Sequence, residues 1–495
     1  MQIEFFLLTI SILFFVSIIV SKISSRFGVP VLLLFLAVGM LFGVDGLGIQ
    51  FENIRVAQII GTISLCIILF SGGMDTRIAD IRPVLGAGIT LATLGVFITA
   101  LCTGLIIWLL MDNLGVGINI GLLGSLLLAA TMSSTDSASV FSILRSNNLH
   151  LKNGLKPMLE LESGSNDPMA YILTITLMDL VKQGGNPHYG EAFLMLFVQL
   201  IVGALAGYLL GKGLVWLINR LKIENTSLYP ILSLTACVFI FSVTYFLKGN
   251  SYLAVYIGGL VFGNSSFVHK RSTRNFFDGL SWLGQLVMFL TLGLLVNPSE
   301  LHWKTVVLPG LIISLVMVFF SRPLSVFVSL IPFRRYNFRD KIFVSWCGLR
   351  GAVPIIFAIL CRAENIPHAD VIFNMVFFCT LVSLVLQGTT LPWMARRMQI
   401  TENVEEKNKI LNFDIDFPEE IKSAASEIEL SEKALRNGNL LMNLKMPEKT
   451  LVIMIKRGEM FFVPTGKTKL FPGDRLMVLS DNEEELKQTL KNLGV

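Results

Sequence analysis

Charged side chains are scarce in this sequence. Lysine, arginine, aspartate and glutamate make up 15% of its 495 residues, whereas hydrophobic residues make up 53%, and the mean hydropathy is +0.68. A soluble chain carries roughly 25% charged residues, because its surface must be hydrated. The shortage of charge therefore excludes an ordinary soluble protein and predicts a chain that lies largely in a lipid bilayer.

Paired cysteines and nucleotide-binding motifs are also lacking. The six cysteines fall in apolar stretches, and their spacing matches neither a zinc site nor a disulfide framework, so we expect them to be packing residues. No glycine-rich P-loop occurs, so neither ATP-driven transport nor a cofactor is predicted for the apolar part. The cysteines are Cys66, Cys102, Cys237, Cys347, Cys361 and Cys379.

The charges that are present divide the chain. Residues 401–495 carry 31 charged side chains, and the first 400 residues carry 44. We therefore predict a membrane domain over residues 1–398, a linker over 399–418 and a small soluble domain over 419–495. The net charge of the first part, about +8, is concentrated in loops, which is typical of membrane proteins and does not indicate nucleic-acid binding.

About thirteen apolar segments can be marked by length. Basic residues concentrate in the odd-numbered loops, which predicts an external N-terminus and a cytoplasmic C-terminal domain. The first twenty residues lack a basic leading region and a small-residue cleavage site, so we interpret them as a span and not as a signal peptide. The segments lie near residues 3–20, 29–44, 57–73, 84–111, 119–144, 154–180, 191–219, 228–247, 251–264, 276–296, 305–331, 341–361 and 370–395.

Three of these segments contain ionisable residues within their apolar sequence. The sixth contains the run Glu-Ser-Gly-Ser-Asn-Asp at 162–167, the fifth contains Asp136 and the twelfth contains Arg350. An acid at the centre of a span costs about 2.5–3.5 kcal/mol on insertion scales, so intramembrane acids are candidates for function. The pattern predicts a charged site inside the membrane.

The fifth and twelfth segments also have weak helical sequences. Residues 129–137 are rich in serine and threonine, which hydrogen-bond their own backbone, and glycines flank Arg350 ahead of Pro354. In transporters, broken helices of this kind expose carbonyl groups that coordinate a cation, and broken helices of opposite direction indicate an inverted repeat. The alternative for the fifth segment is a kink in which Asp136 only caps a helix.

The two acids of the sixth segment are predicted to differ in role. On a helix, Glu162 and Asp167 point about 140° apart, so they cannot both face one bound ion. Arg350 keeps its proton in a protein and needs an acid at this depth. We therefore predict that one acid binds the ion and the other pairs with Arg350. Arg322, toward the inner end of the eleventh segment, is interpreted as a structural or snorkelling charge.

The order of three motifs is specific. Thr-Asp at 135–136, the run at 162–167 and Gly-Leu-Arg-Gly at 348–351 resemble the monovalent cation/proton antiporter superfamily and match its electroneutral NhaP/NHE-like branch. The resemblance covers roughly residues 5–397, although Ser137 stands where many members have proline. It implies an all-α polytopic inner-membrane protein with about thirteen transmembrane helices, inverted repeats, two discontinuous crossed helices and a dimerisation domain, and hence a homodimer.

The resemblance also implies an ion site on the fifth and sixth segments. Asp167 would alternately hold a monovalent cation or a proton. Asp136, the backbone near Thr135 and the hydroxyl of Ser163 would complete the oxygen shell of the cation. The expected function is secondary antiport of K⁺, or alternatively Na⁺, against H⁺, and not an enzymatic reaction.

Three further residues would be structural according to the resemblance. Glu162 and Arg350 would form an ion pair, and Asn166 would orient the crossed helices. Electrogenic relatives carry a second aspartate at the position of Asn166. One carboxylate in place of two suggests exchange of one cation for one proton.

The tail has the alternating pattern of strands. We expect strands over residues 451–455, 460–463 and 475–479 and a helix over 481–490. This small α+β domain is similar to a TrkA-C (RCK C-terminal) domain, and the combination resembles bacterial potassium/proton antiporters, which favours K⁺. A domain of about 75 residues is marginally stable alone, so a partner copy or a regulatory nucleotide or dinucleotide is a candidate ligand.

Two other functional classes are alternatives. A potassium channel or uniporter gated by the tail would need a filter resembling Thr-Val-Gly-Tyr-Gly, which the sequence lacks. An intramembrane aspartyl protease would use paired acids. Its chemistry has no role for thirteen spans or for Arg350. Loss of cation-driven proton movement on Asp167→Asn would separate the antiporter from both.

Overall fold

A computed structural model of the chain separates into two units, Met1–Glu402 and Asn403–Val495. Most of the predicted linker and the helix expected over 481–490 fall outside the residues that the structure describes. The described residues are 3–27, 30–51, 53–147, 149–184, 188–221, 223–402, 411–412, 424–430, 435, 438–444, 446, 450–457 and 460–480.

The described part of the first unit is helical, and a two-residue strand pair, β1 (His150–Leu151) with β2 (Thr401–Glu402), joins two of its loops. Two of the helices, the fourth and the twelfth, include π-helical turns. The helices are α1 (Ile3–Phe27), α2 (Val31–Phe42), α3 (Ile54–Asp75), α4 (Ile78–Asn113), α5 (Gly121–Thr131), α6 (Ser137–Ser146), α7 (Leu155–Gln183), α8 (Tyr189–Arg220), α9 (Leu228–Phe246), α10 (Ser251–Gly263), α11 (Lys270–Leu295), α12 (Trp303–Ser329), α13 (Phe338–Trp346), α14 (Val353–Ala363) and α15 (Ala369–Arg397).

These helices confirm the prediction of a polytopic all-α membrane domain. Within the described ranges, seven helices are individually long and apolar enough to cross a membrane: α3, α4, α8, α9, α11, α12 and α15. Each of the thirteen predicted segments contains helix, and joining α5 to α6 and α13 to α14 gives thirteen helical stretches. At 29 residues, α7 is also long, but its polar run lowers its hydropathy.

Two stretches are interrupted, as the weak helical sequences predict. Between α5 and α6 the backbone leaves the helix at residues 132–136, and Asp136 becomes the N-cap of α6 by accepting the amide of Ser139 at 3.1 Å. The helix cap expected in the alternative interpretation of Asp136 is therefore present. Between α13 and α14 residues 347–352 are non-helical, and Pro354 lies in the first turn of α14, where its missing N–H leaves no bond unmade.

Helices α2 and α11 pack closely at a contact where each contributes a glycine. A Cβ on Gly39 of α2 would lie 2.5 Å from the carbonyl oxygen of Leu290 of α11, and one on Gly293 would lie 2.4 Å from that of Leu36. Larger residues would push the two backbones apart. Small residues at such contacts are the usual means by which membrane helices associate.

The second unit contains an antiparallel sheet in the order β3-β4-β7-β5-β6. Its strands are β3 (Leu411–Asn412), β4 (Ala424–Glu429), β5 (Thr450–Arg457), β6 (Met460–Phe462) and β7 (Arg475–Ser480). The three predicted strands are confirmed as β5, β6 and β7. Strand β4, with the sequence Ala-Ala-Ser-Glu-Ile-Glu, has too little hydrophobic alternation to be recognised.

Candidate ion-binding site

The carboxylate of Asp167 lies beside a cavity of about 500 Å³ between α3, α6, α7, α10 and α11. The side chain is 8% exposed. Among the described residues, the hydroxyl of Ser134 donates the one hydrogen bond that this carboxylate accepts. Three other predicted ion-binding residues also line the cavity, namely Asp136, Thr135 and Ser163. The structure therefore brings all four together.

Helix α7 holds the interruption between α5 and α6 in place. The hydroxyl of Ser163 donates to the carbonyl of Thr135 at 2.9 Å and accepts the amide of Ser137 at 3.1 Å. The side-chain amide of Asn166 donates to the hydroxyl of Thr135 at 2.6 Å. These bonds fix the exposed carbonyl groups of the interruption against the helix that carries Asp167.

The two interruptions contact each other directly. The amide of Asp136 donates to the carbonyl of Leu349 at 2.8 Å, and the guanidinium of Arg350 donates to the carbonyl of Ser134 at 2.5 Å. A Cβ on Gly351 would lie 2.6 Å from Oδ2 of Asp136, so only glycine permits this approach. The discontinuous helices therefore cross at the site.

The predicted partner of Glu162 is wrong. Glu162 forms its ion pair with Arg322 of α12 at 2.5 Å, and the two side chains are 1% and 2% exposed. Arg350 is instead engaged by the carbonyl of Ser134, and its own amide donates to the hydroxyl of Ser383 at 3.0 Å. The carbonyl of Ser134 lies in the interruption beyond the end of α5, so it has no helical donor and a cationic side chain can satisfy it.

Of the two interpretations of Arg322, a structural charge is confirmed by its buried ion pair with Glu162, and a snorkelling charge is wrong. Its guanidinium does not reach the membrane surface, because α12 carries it into the interior beside Glu162. A Cβ on Gly348 would lie 2.9 Å from Nε of Arg322, so the interruption before α14 packs directly on this side chain. A buried arginine needs an acid, but the sequence alone did not indicate that Arg322 is buried.

The buried acids differ in how their charges are compensated. Glu162 has an arginine, and Asp136 caps the N-terminus of α6, where the helix dipole stabilises a negative charge. Within the described part of the chain, Asp167 has only the hydroxyl of Ser134. The carboxylate of Asp167 is therefore the least compensated of the three, and it faces the cavity. A cation or a proton can supply the missing charge.

Two residues around the site were missed from the sequence. Ser134 belongs to the Ser/Thr-rich run at 129–137, but its position in that run does not indicate which acid it contacts. Tyr256 of α10 lines the cavity, and one tyrosine in an apolar helix gives no signal of function. Both assignments depend on how separate helices pack.

The chain is similar to known cation/proton antiporters. A profile of the family described as sodium/hydrogen exchanger, transmembrane, matches residues 10–397. The chain is 38% identical to the K⁺/H⁺ antiporter NhaP2 of Shewanella baltica strain OS223, over 99% of this chain and 83% of the relative. It is 42% identical to the K⁺/H⁺ antiporter NhaP of Alkalimonas amylolytica, over 80% of this chain and 67% of the relative.

A solved structure has the same fold. The sodium proton antiporter MjNhaP1 of Methanocaldococcus jannaschii matches with a TM-score of 0.66 and 24% identity, and the match covers 79% of this chain and 100% of that chain. At this identity the likeness shows a common fold.

Proposed function

Because the chain belongs to the transmembrane sodium/hydrogen exchanger family and is a secondary cation/proton antiporter, we propose that it exchanges one K⁺ for one H⁺ at Asp167. The observation that carries the proposal is the state of the buried carboxylates. Glu162 is paired and Asp136 caps a helix, whereas Asp167 faces the cavity with one hydroxyl donor. This arrangement leaves one carboxylate to exchange its ligand.

The exchange cycle follows from the cost of burying charge. An ionised Asp167 without a ligand is stable only where water or a cation can reach it, because an isolated charge in an apolar medium is strongly disfavoured. Binding of either a cation or a proton neutralises it. The core then opens to the other side of the membrane only when Asp167 holds a cation or a proton. Because the empty site cannot cross, the flow of cations is coupled to the flow of protons.

The cation would be held by oxygen atoms from both parts of the site. The carboxylates of Asp167 and Asp136, the hydroxyl of Ser163 and the backbone near Thr135 are the proposed ligands, and oxygen donors of this kind suit monovalent cations. Ser163 and Thr135 are already held together at 2.9 Å. Ser134 is added to this set because it contacts Asp167.

The one-for-one ratio rests on the charges around the site. Asn166 stands beside Asp167 as an amide, and its amide group donates to Thr135 at 2.6 Å. It therefore orients the broken helix without adding a titrating group. Arg322 compensates Glu162, so the pair carries no net charge through the cycle.

The preference for K⁺ is supported by the relatives. The two relatives at 38% and 42% identity are both named K⁺/H⁺ antiporters. Na⁺ is the alternative, since hydroxyl, carboxylate and carbonyl oxygens can bind either ion.

The arrangement in the membrane is part of the proposal. The basic loops support an inner-membrane protein with an external N-terminus and a cytoplasmic tail. We further propose a homodimer with a TrkA-C-like regulatory tail that binds a nucleotide or dinucleotide. The similarity to NhaP2 over 99% of this chain includes the tail, and the tail sheet is consistent with such a domain.

The test is transport by the full chain in liposomes. Cation-driven proton movement is measured against K⁺ and Na⁺ separately, for the wild type, Asp167→Asn and Asp179→Asn. Asp179 is the matched control because it is an exposed acid on the same helix. We expect Asp167→Asn to abolish exchange and Asp179→Asn to retain it. Exchange in Asp167→Asn, or single-channel currents in the wild type, would contradict the proposal.

A further inference from the structure

Helix α10 contacts α7 on both sides of Asp167. On one side, the side-chain amide of Asn250 donates to the carbonyl of Pro168 at 2.8 Å. On the other side, the ring of Tyr256 lies against Gly164. Asn250 also caps α10 by accepting the amide of Leu253 at 3.1 Å. Its position, and with it that of α10, is therefore fixed relative to Asp167.

The contact between Tyr256 and Gly164 requires glycine. A Cβ at position 164 would lie 2.3 Å from Cε2 and 2.9 Å from the hydroxyl oxygen of Tyr256. The tyrosine ring is thus seated on the backbone of α7. Gly164 precedes Asp167 by three residues, which corresponds to about 4.5 Å along a helix.

The hydroxyl of Tyr256 is an unused polar group at the edge of the ion site. The residue is 3% exposed and lines the cavity that also contains Asp167. Its hydroxyl oxygen is itself buried and makes no hydrogen bond of standard geometry among the described residues, although the side chains of Thr76 and Ser165 lie close to it. Buried hydroxyl groups in native proteins are nearly always satisfied, so this one needs an explanation.

A second neutral oxygen lies close to it. Pro168 stands inside α7 and has no N–H, so the carbonyl of Gly164 lacks the donor four residues ahead that an α-helix normally supplies. Carbonyl groups point toward the C-terminal end of a helix, and here that is the direction of Asp167. The backbone that carries this carbonyl lies within about one helical turn of the backbone of Asp167, and the hydroxyl of Tyr256 lies against the same residue, Gly164.

We propose that Tyr256 is a specificity-determining ligand of the transported cation: its hydroxyl and the carbonyl of Gly164 replace water around the ion between the cavity and Asp167. The inference rests on the proposed function, because it requires that the cation reaches Asp167 through this cavity. Neither oxygen titrates in the working range of pH. The pair therefore acts on cation affinity and not on proton affinity.

The test compares Tyr256→Phe with Tyr252→Phe in the full chain. Both substitutions remove one phenolic hydroxyl from α10 and keep the ring. Tyr252 is equally buried, packs edge-on against Tyr171 with ring centroids 4.7 Å apart, and does not line the cavity. Exchange in liposomes is measured as KM for K⁺ and for Na⁺, maximal rate, and pH profile at saturating cation.

We expect Tyr256→Phe to raise KM for K⁺ by about threefold to tenfold, as for the loss of one hydrogen-bonding group. The ratio of KM for K⁺ to KM for Na⁺ should change as well. The maximal rate should stay within about twofold, and the pH profile at saturating cation should not move. Tyr256→Phe should fold as well as the wild type, because it keeps the ring that packs on Gly164.

Three outcomes decide the inference. An unchanged KM in Tyr256→Phe would overturn it, as would an equal rise in Tyr252→Phe, which would indicate a general packing effect. If Tyr256→Phe transports poorly, K⁺ binding to the purified protein is measured by the proton release it causes, and an unshifted midpoint would overturn the inference as well. Failure of the proposed function is distinguishable, because the wild type itself would then show no cation-dependent proton movement.

Discussion

The two interruptions in the membrane domain both leave backbone groups without helical hydrogen bonds, but they contain side chains of opposite charge. The one between α5 and α6 contains serine, threonine and Asp136, and the one between α13 and α14 contains glycines and Arg350. Asp136 caps the N-terminal end of α6, whose dipole stabilises a negative charge. Arg350 instead donates to the carbonyl of Ser134, which lies in the interruption beyond the end of α5.

The two interruptions are therefore expected to differ in role: the acidic one binds the cation, and the basic one holds the acidic one in position. The acidic interruption faces the cavity with hydroxyl, carboxylate and carbonyl oxygens, which are suitable ligands for a cation. The basic interruption supplies the donors that hold it there, and Gly351 permits the close approach. Substitutions in the first should change cation affinity, whereas substitutions in the second should change the assembly of the site.

The largest expected effect is on the ion pair beneath the basic interruption. Arg322→Met should leave Glu162 as an uncompensated buried charge and destabilise the protein by about 3–5 kcal/mol. The double variant Glu162→Leu with Arg322→Met removes both charges and should recover much of the loss. The measurement is thermal unfolding of the purified protein in detergent. A double variant no more stable than Arg322→Met would show that the pairing is not the main source of the loss.

The second-largest effect is expected at Arg350, where a substitution can keep the positive charge and remove the hydrogen-bonding geometry. Arg350→Lys keeps the charge but loses the planar group that reaches the carbonyl of Ser134, and a hydrogen bond from a charged group contributes about 1.5–3 kcal/mol. We expect exchange to fall by about tenfold to a hundredfold. Arg362→Lys, at the C-terminal end of α14, is the matched control because Arg362 pairs with Asp370 outside the cavity. Equal activities of the two variants would refute a specific role for Arg350.

A smaller effect compares one hydroxyl from each side of the crossing. Ser134→Ala removes the donor to Asp167 and should raise KM for the cation by about threefold to tenfold. Ser383→Ala removes the acceptor for the amide of Arg350 and should lower thermal stability with little change in KM. Both are measured on the same preparations. The reverse result, with KM altered only in Ser383→Ala, would invalidate the division between binding and support.

The smallest effect on transport is expected in the tail. Burial alone would raise the pKa of Asp474, but the hydrogen bonds and charge of Arg457 and the amide of Phe471 outweigh it and hold the pKa below its usual value. The ionised Asp474 therefore stabilises the folded tail. This contribution is fully present above the usual aspartate pKa of about 3.9 and is lost as pH falls through the lowered pKa. Arg457→Gln should speed amide exchange of β5 and β7 at neutral pH, while K⁺/H⁺ exchange stays within about twofold. Unchanged amide exchange would show that the pair does not stabilise the sheet.

The sequence was sufficient for the architecture and for most of the site. The lengths of the apolar segments predict thirteen helical stretches, and the poor helix formers at 129–137 and the glycines around Arg350 predict the two interruptions. The sharing of one cavity by Asp136, Ser163 and Asp167 follows from the same pattern.

The sequence was not sufficient for the pairing of charges. An acid in one segment can be paired with any base at a similar depth, and the position of Arg322 toward the end of its segment wrongly favoured Arg350 as the partner. The choice depends on helix packing, because the carbonyl of Ser134 occupies Arg350 and α12 brings Arg322 to Glu162. Partners such as Ser134 for Asp167 and Tyr256 for Gly164 arise from the same packing.

The most direct test of the central claim counts protons on the purified protein. Saturating K⁺ is added to the full chain in weakly buffered detergent solution, and the protons released per chain are measured for the wild type, Asp167→Asn and Asn166→Asp. The account predicts one proton from the wild type, none from Asp167→Asn and more than one from Asn166→Asp. Release of a proton by Asp167→Asn, or of two protons by the wild type, would contradict a single exchangeable carboxylate at Asp167.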